Sequence, residues 1–357
     1  MAPTTEPIFL GPGPDDPRDR HRPVSTRADQ ITPAELAAVL RHYDLAMVRS
    51  ARPLALGDPA SPKVLIETSS ERLLLKRLAP GRDDPYRVAV AHETMLHLAS
   101  SGVRVPKLLG TKRENNSMLQ LGRHVYELME FVSGTGYDAS IEQTRGAGWA
   151  LGAAHRALRS FRPSHPAPEG GFHAAVHLRE RLERSNAEGG ARLARAMAAA
   201  EQEVERLGWA NWPRQVVHGD WHPGNLVFRK GLPPVIVDLE LPRSDRLPGV
   251  FAQGALQFSL ARARNRTAGG DGGTKLSLDG RRLQAFFEGL RQEGVRLDAA
   301  SALLPPLMVE SLGAEAATLT ERGGAEWAWL IGPASELADW ILKSALTIAE
   351  LTRGGEG

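Results

Sequence analysis

The chain has 357 residues, enough for two lobes or domains. An apolar share of 42% and a charged share of 24% are those of a soluble globular protein, and a net charge of only +2 demands no nucleic-acid partner. The absence of cysteine excludes disulfides, thiolate metal sites and a cysteine nucleophile together. No apolar run reaches the roughly 18 residues of a membrane span. The opening MAPTTEPIFLGPGPDDPRDR lacks the basic start and apolar core of a secretion signal, so a cytoplasmic protein is expected.

Residues 1–30 hold six prolines and many charges but few large apolar side chains. Such a segment buries too little surface to offset the entropy of ordering, which predicts a disordered tail. Order is expected to begin at ITPAELAAVLRHYDL, with Thr32 as N-cap, Pro33 in the first turn and Glu35 closing a capping box. From about 45 to 133 the pattern favours strands. VLIET (64–68) and RLLLKRL (72–78) flank Ser69 and Ser70 as a hairpin, and RHVYELMEFV (123–132) reads as a further strand. Between them, residues 86–100 carry Val88, Ala91, Met95 and Leu98 at helical spacing. Gly134 and Gly136 loosen the chain after the last strand, which divides it into an N-terminal lobe, 31–133, and a C-terminal lobe, 134–357.

The second lobe reads as mainly helical. RGAGWALGAAHRALRS (145–160) has a small-residue face of Gly146, Ala150, Ala153 and Ala154. A charged helical stretch over 175–208 is broken at Gly189–Gly190. TAGGDGGTK (267–275) reads as a flexible loop, and helices fill most of the remainder to about 352.

One stretch of this lobe is unlike the rest. In VVHGDWHPGNLVF (216–228), two histidines, an aspartate and an asparagine interrupt two apolar runs. QVV and NLVF read as short buried strands around a turn, and PPVIVDLE follows after a second turn at Lys230–Gly231. Asp220, Asn225 and Asp238 thus fall on consecutive loops and strand ends. Phosphoryl transfer needs a carboxylate to orient and deprotonate a hydroxyl, oxygen ligands for magnesium and a cradle for the phosphates. An Asp and an Asn amide supply hard oxygens of the required kind. Two other readings fit parts of the stretch: Asp220 as a plain turn residue, and H-x-D-x-H (218–222) as a zinc site.

HGDWHPGN resembles the catalytic loop, H-G-D-x-x-x-x-N, of the aminoglycoside phosphotransferase and choline kinase superfamily, small-molecule kinases with a protein-kinase-like fold. The resemblance extends over about 35–350 and is specific over 216–240. It implies an α+β, two-lobed fold: a small antiparallel sheet with one helix, then a larger helical lobe. It further implies Asp220 as catalytic base and Asn225 and Asp238 as Mg2+ ligands. Lys76 would touch the α- and β-phosphates while Glu93, in AHETMLHL, holds it. MEFVSG (129–134) resembles the hinge, where backbone groups of Glu130 and Val132 would bind adenine, and LGAAH (151–155) resembles a helical segment of the family.

Two departures stand out. ARPLALGDPASPKVLIET offers only Gly57, with Ser61 nearby, as a phosphate cover, and PRSDRLPGVFAQGALQF has no clear aspartate–alanine segment after Asp238. The function implied is ATP- or GTP-dependent, Mg2+-dependent transfer of the γ-phosphate to a hydroxyl of a small molecule: an aminoglycoside, amino alcohol, homoserine or sugar. A non-catalytic binding or coat protein on the same scaffold is the alternative, and the sparse glycine loop supports it. A protein kinase fits less well, because no APE-like anchor follows Asp238 and His222 replaces the usual basic residue. Glu240, Glu310, Glu336 and Asp339 could attract a cationic acceptor, and the tryptophans of EWAWL (326–330) with Trp340 could box one. Neither the acceptor nor the oligomeric state is assigned by the sequence.

Overall fold

The protein is described from a computed structural model over residues 5–7, 30–55, 57, 60–264, 274–323 and 327–353. The expected tail lies outside the described residues except for β1 (Thr5–Pro7), which pairs antiparallel with a strand of the second lobe, Leu260–Arg264. The first helix, α1 (Pro33–Leu40), starts as its sequence demands: the Thr32 hydroxyl accepts from the Glu35 amide and the Glu35 carboxylate accepts from the Thr32 amide.

Strands β2 (Val48–Leu54), β3 (Lys63–Thr68), β4 (Arg72–Arg77), β5 (Met118–Leu121) and β6 (His124–Glu130) form one antiparallel sheet in the order β2-β3-β4-β6-β5, and α2 (Pro85–Ser100) joins β4 to β5. Alternation along the strands gives the sheet two unlike faces. Val64, Ile66, Leu73, Leu75, Tyr126 and Leu128 bury one face against Val39 and Tyr43 of the α1 region. Glu35 fastens that packing by accepting from Arg77 at 2.8 Å and from the Tyr126 hydroxyl at 2.7 Å. The other face carries Leu74, Lys76, Glu127 and Met129, which the register sets opposite one another as Leu74↔Met129 and Lys76↔Glu127. The hairpin expected at Ser69–Ser70, the helix over 86–100 and the strand after 123 are all present.

The second lobe opens with α3 (Ile141–Leu158), capped by Ser140, then α4 (Val176–Arg184) and α5 (Gly190–Arg206), which separate at the expected glycines. Four short strands follow: β7 (Arg214–Val217), β8 (Leu226–Arg229), β9 (Leu232–Ile236) and β10 (Arg243–Arg246). β8 and β9 form a hairpin across Lys230–Gly231, whereas β7 pairs with β10. After α6 (Leu247–Ser259) come β11 (Leu260–Arg264) and β12 (Thr274–Leu278), then α7 (Gly280–Gln292), α8 (Leu304–Gly323), α9 (Ile331–Lys343) and α10 (Ala345–Arg353).

The hairpin of β11 and β12 adds two strands around the loop expected at 267–275 in a mainly helical lobe. Thr274 and Lys275, assigned to the loop by composition, begin β12, and the rest of that expected loop lies outside the described residues. A single large core runs through α3 and α5–α10. No helix among the described residues is long and apolar enough to cross a membrane.

The small face of α3 lets α7 approach until backbones touch. A Cβ on Gly148 would overlap the Phe286 carbonyl, and one on Gly289 would overlap the Arg145 carbonyl. Gly148→Ala should therefore destabilise by roughly 1–3 kcal/mol, as overpacking of a close crossing does. Thermal unfolding should show a Tm several degrees lower, about 2–4 °C per kcal/mol for a domain of this size. Gly280→Ala, where the added carbon meets nothing within 4 Å, should leave Tm almost unmoved.

Candidate active site

Polar groups between two apolar strands need partners, and the 218–225 loop supplies most of its own. The Asp220 amide donates to His218 Nδ1 at 3.3 Å, and the Gly224 amide donates to His222 Nδ1 at 3.0 Å. Asn225 Nδ2 donates to the Asp220 carbonyl at 2.9 Å, and the Val237 amide donates to the Asn225 carbonyl at 3.0 Å. The loop is thereby tied to the segment bearing Asp238. Gly219 makes its sharp entry possible: φ is +83°, and a Cβ there would overlap the Leu241 carbonyl.

With the backbone satisfied in this way, the carboxylates of Asp220 and Asp238 stay partly open, each side chain 37% exposed. The bond from Asn225 Nδ2 fixes its amide, so Oδ1 is the atom left to face a cation. Asn225 and Asp238 thus fit a small, hard cation such as Mg2+, which takes one or two protein oxygens and completes its shell with phosphate and water. Both imidazoles spend Nδ1 on backbone amides, which argues against H-x-D-x-H as a zinc set. No group of three or more His, Asp or Glu among the described residues could hold a metal ion.

Electrostatics separates the neighbouring acids. Burial alone would raise the Asp220 carboxyl, but the charge of His222, with Nε2 3.6 Å from Asp220 Oδ2, overrides it and holds it down to about 2. His222 is raised in turn: burial works against its charge, but Asp220, Glu315 and Asp238 outweigh it. Burial takes His218 the other way, to about 4, leaving it a neutral brace set edge-on against Trp221. Glu315 of α8 is pushed up to about 7, first by burial and then by the charge of Asp220. Gln253 links the two sides, donating to Glu315 at 3.4 Å and accepting the Trp221 amide at 3.4 Å.

Lys76 reaches this centre from the other lobe. Its ammonium pairs with Glu240 and stands 3.9 Å from Asp238 Oδ2. The expected Lys76–Glu93 pair does not form. Glu93 accepts from the Ser164 amide at 2.7 Å, because its face of α2 is turned toward the segment after α3. Ser61 is likewise not a phosphate cover here: it is buried, and its hydroxyl accepts the Ala79 amide at 3.1 Å.

The hinge segment is braced at several points. The Glu130 amide donates to the Lys107 carbonyl at 2.8 Å and the Phe131 amide to the Arg72 carbonyl at 2.9 Å. Arg72 lies over the Phe131 ring and bonds Ser133 Oγ. The Val132 amide has no acceptor among the described residues.

Three other carboxylates singled out as acceptor attractors are engaged elsewhere. Glu240 is spent on Lys76 and Arg82, Glu310 on His173 and the Ala174 amide, and Asp339 on Arg192. Trp327 and Trp329 stack on each other. Sequence reasoning missed Glu315. Its only signal is a carboxylate on a largely buried helix, and no periodicity says which active loop that helix faces.

A family model described as "Phosphotransferase enzyme family" matches residues 50–243. A homoserine kinase from Chelativorans sp. (strain BNC1) is 29% identical over 224 residues, which cover 61% of this chain and 66% of that protein, just under two thirds of its length. Among solved structures, a microcompartment-associated aminopropanol kinase superposes with a TM-score of 0.66 at 15% identity, covering 88% of this chain and 98% of that one. An amicoumacin kinase, solved with AMP-PNP, Ca2+ and Ami, gives 0.64 at 14% identity, over 88% and 95%. Since the family model spans more than half of the sequence and takes in the 218–225 loop, Asp238 and Lys76, this chain belongs to the phosphotransferase enzyme family and has its protein-kinase-like fold.

Proposed function

We propose that this phosphotransferase moves the γ-phosphate of ATP, with Mg2+, to the hydroxyl of a small amine-bearing alcohol. The observation that carries the reading is the meeting of Lys76 from the sheet with Asp238, beside a loop that holds Asp220 and Asn225. Asp220, ionised throughout the neutral range, accepts a hydrogen bond from the acceptor hydroxyl and takes its proton as that oxygen attacks the γ-phosphorus. The bond from phosphorus to the bridging oxygen breaks, and ADP leaves. Lys76 holds the α- and β-phosphates. Asn225 and Asp238 would hold Mg2+, which neutralises charge on the phosphates. Backbone groups of Glu130 and Val132 are the proposed adenine contacts, which would leave GTP a poorer donor.

Glu315 supports an amine on the acceptor. It is a carboxylate close enough to Asp220 for the two charges to interact, and it belongs to the helical lobe. A hydroxyl seated on Asp220 would leave a nearby ammonium within reach of it. The likeness to a homoserine kinase and to an aminopropanol kinase, whose names denote amine-bearing alcohols, points the same way.

A panel of amino alcohols, homoserine, aminoglycosides and sugars assayed for ADP release tests the reading. Asp220→Asn should lower kcat by roughly 10^2–10^4-fold, the usual contribution of a general base, while ADP binding by calorimetry stays near wild type. Turnover undiminished in that variant would remove Asp220 from the chemistry. Asp238→Ala should erase the part of nucleotide affinity that depends on added Mg2+ and spare the part that does not.

The acidity of Glu315 sets a pH dependence. Its folded pKa is raised to about 7, so it is protonated below that value and charged above it. KM for an amine-bearing acceptor should therefore rise, by roughly tenfold, as pH falls from 8 to 6 through loss of a charged partner. In Glu315→Gln the KM should be high and flat over the same range. A wild-type KM without pH dependence would separate Glu315 from the acceptor.

A further inference from the structure

Lys76 is a buried cation whose bonded carboxylates both come from the opposite lobe. Glu240, which takes its ammonium, also accepts from Arg82 at 3.1 Å, and Asp238 is the proposed metal ligand. Once Asp238 and Glu240 turn to other work, the lysine needs an anchor in its own lobe, because a buried charge left alone is strongly destabilising. Glu93 is badly placed for that task. It lies on one face of α2 with Tyr86 and His97, seven and four residues away. Tyr86 sits edge-on to His165, and His97 bonds the Ala157 carbonyl and stacks on Phe161. That face is committed to the segment after α3.

The sheet-facing side of α2 carries His92. Its Nε2 lies 2.9 Å from Glu127 Oε2 and its Nδ1 lies 2.8 Å from Ser117 Oγ, with both His92 and Glu127 buried. Glu127 stands directly across β4 and β6 from Lys76, on the same sheet face. Residues so paired have Cβ atoms about 4.5–5.5 Å apart, within reach of a lysine that changes rotamer. A carboxylate accepting from one imidazole keeps lone pairs for a second donor.

We infer that Glu127, held by His92, is the N-lobe carboxylate that anchors Lys76 when phosphates draw the lysine away from Glu240. Helix α2 then acts on the lysine through a His–Glu pair on the sheet and not through its own glutamate. Glu127 is a positioning residue, and the inference rests on the reading of Lys76 as a phosphate ligand.

A double-mutant cycle on ADP affinity tests it, with Glu127→Gln, Lys76→Met and the combination. Glu127→Gln should weaken ADP binding about tenfold, yet cost less than about twofold once Lys76 is methionine, since coupled residues do not add. Full additivity would assign Glu127 to the fold alone and overturn the inference. If Glu127→Gln folds poorly, His92 supplies the same test. His92→Gln, which keeps a donor for Glu127, should bind ADP within about threefold of wild type, while His92→Phe should match the Glu127→Gln loss. Equal losses in both would overturn it, and so would coupling of Glu93→Gln to Lys76→Met. Wild-type protein that binds no ADP would sink the nucleotide-site reading itself. Wild-type binding with Glu127→Gln unaffected would sink only this inference.

Discussion

At the site, the two lobes are joined by one buried ammonium. Lys76 lies on the cleft face of the sheet, almost wholly out of water, and its charge must be answered by carboxylates. The structure answers it from the far side, with Glu240 in contact and Asp238 at 3.9 Å. Removing one partner of such a pair costs more than the pair itself contributes, typically about 3–5 kcal/mol, because the remaining charge stays buried. Arg82 shares the Glu240 carboxylate, so the loop after β4 joins the same cluster. An ion pair that binds one lobe to the other thus includes Lys76 and Asp238, the groups proposed to hold phosphates and metal.

The 218–225 loop shows the complementary device. Its histidines, asparagine and glycine are used to satisfy backbone amides and carbonyls, so that few polar atoms are left over for function. The Asp220 carboxylate and the Asn225 side-chain oxygen are left over, as are the buried His218 Nε2 and Trp221 Nε1. His222 then depresses Asp220, while burial and the charge on Asp220 raise Glu315. Two carboxylates with separated acidities suit the separate roles proposed for them, Asp220 as proton acceptor and Glu315 beside the acceptor's charge.

Much of this was legible in the residue order because it is local. The capping box at Thr32–Glu35, the hairpin of β3 and β4, the break at Gly189–Gly190 and the polar loop between apolar strands are each written within a few residues. What could not be read depends on distant partners. The hairpin of β11 and β12 is legible only once its pairing with β1 and the packing of α9 are known. Glu93 and His92 are adjacent in sequence, so composition cannot tell which faces the sheet. The choice is made by Ser164, far along the chain. Ser61 has the right chemistry for a phosphate cover but is consumed by the Ala79 amide.

With Ser61 turned inward, the phosphate side of the proposed nucleotide site has no serine cover. A glycine-rich turn neutralises phosphates with fixed backbone dipoles, which need no reorganisation when charge shifts. Here the described part of that turn offers Gly57 in a left-handed conformation and a serine turned inward. The positive charge near the cleft sits instead on long side chains, Lys76 and Arg82, both tied to Glu240. Flexible cations must be released from that carboxylate and then held at the right place, which a dipole cradle does not require. A fold that replaces fixed dipoles with movable charges has to supply an anchor for the movable part. The proposed anchor is Glu127, opposite Lys76 on the sheet and held by His92, which Ser117 braces in turn.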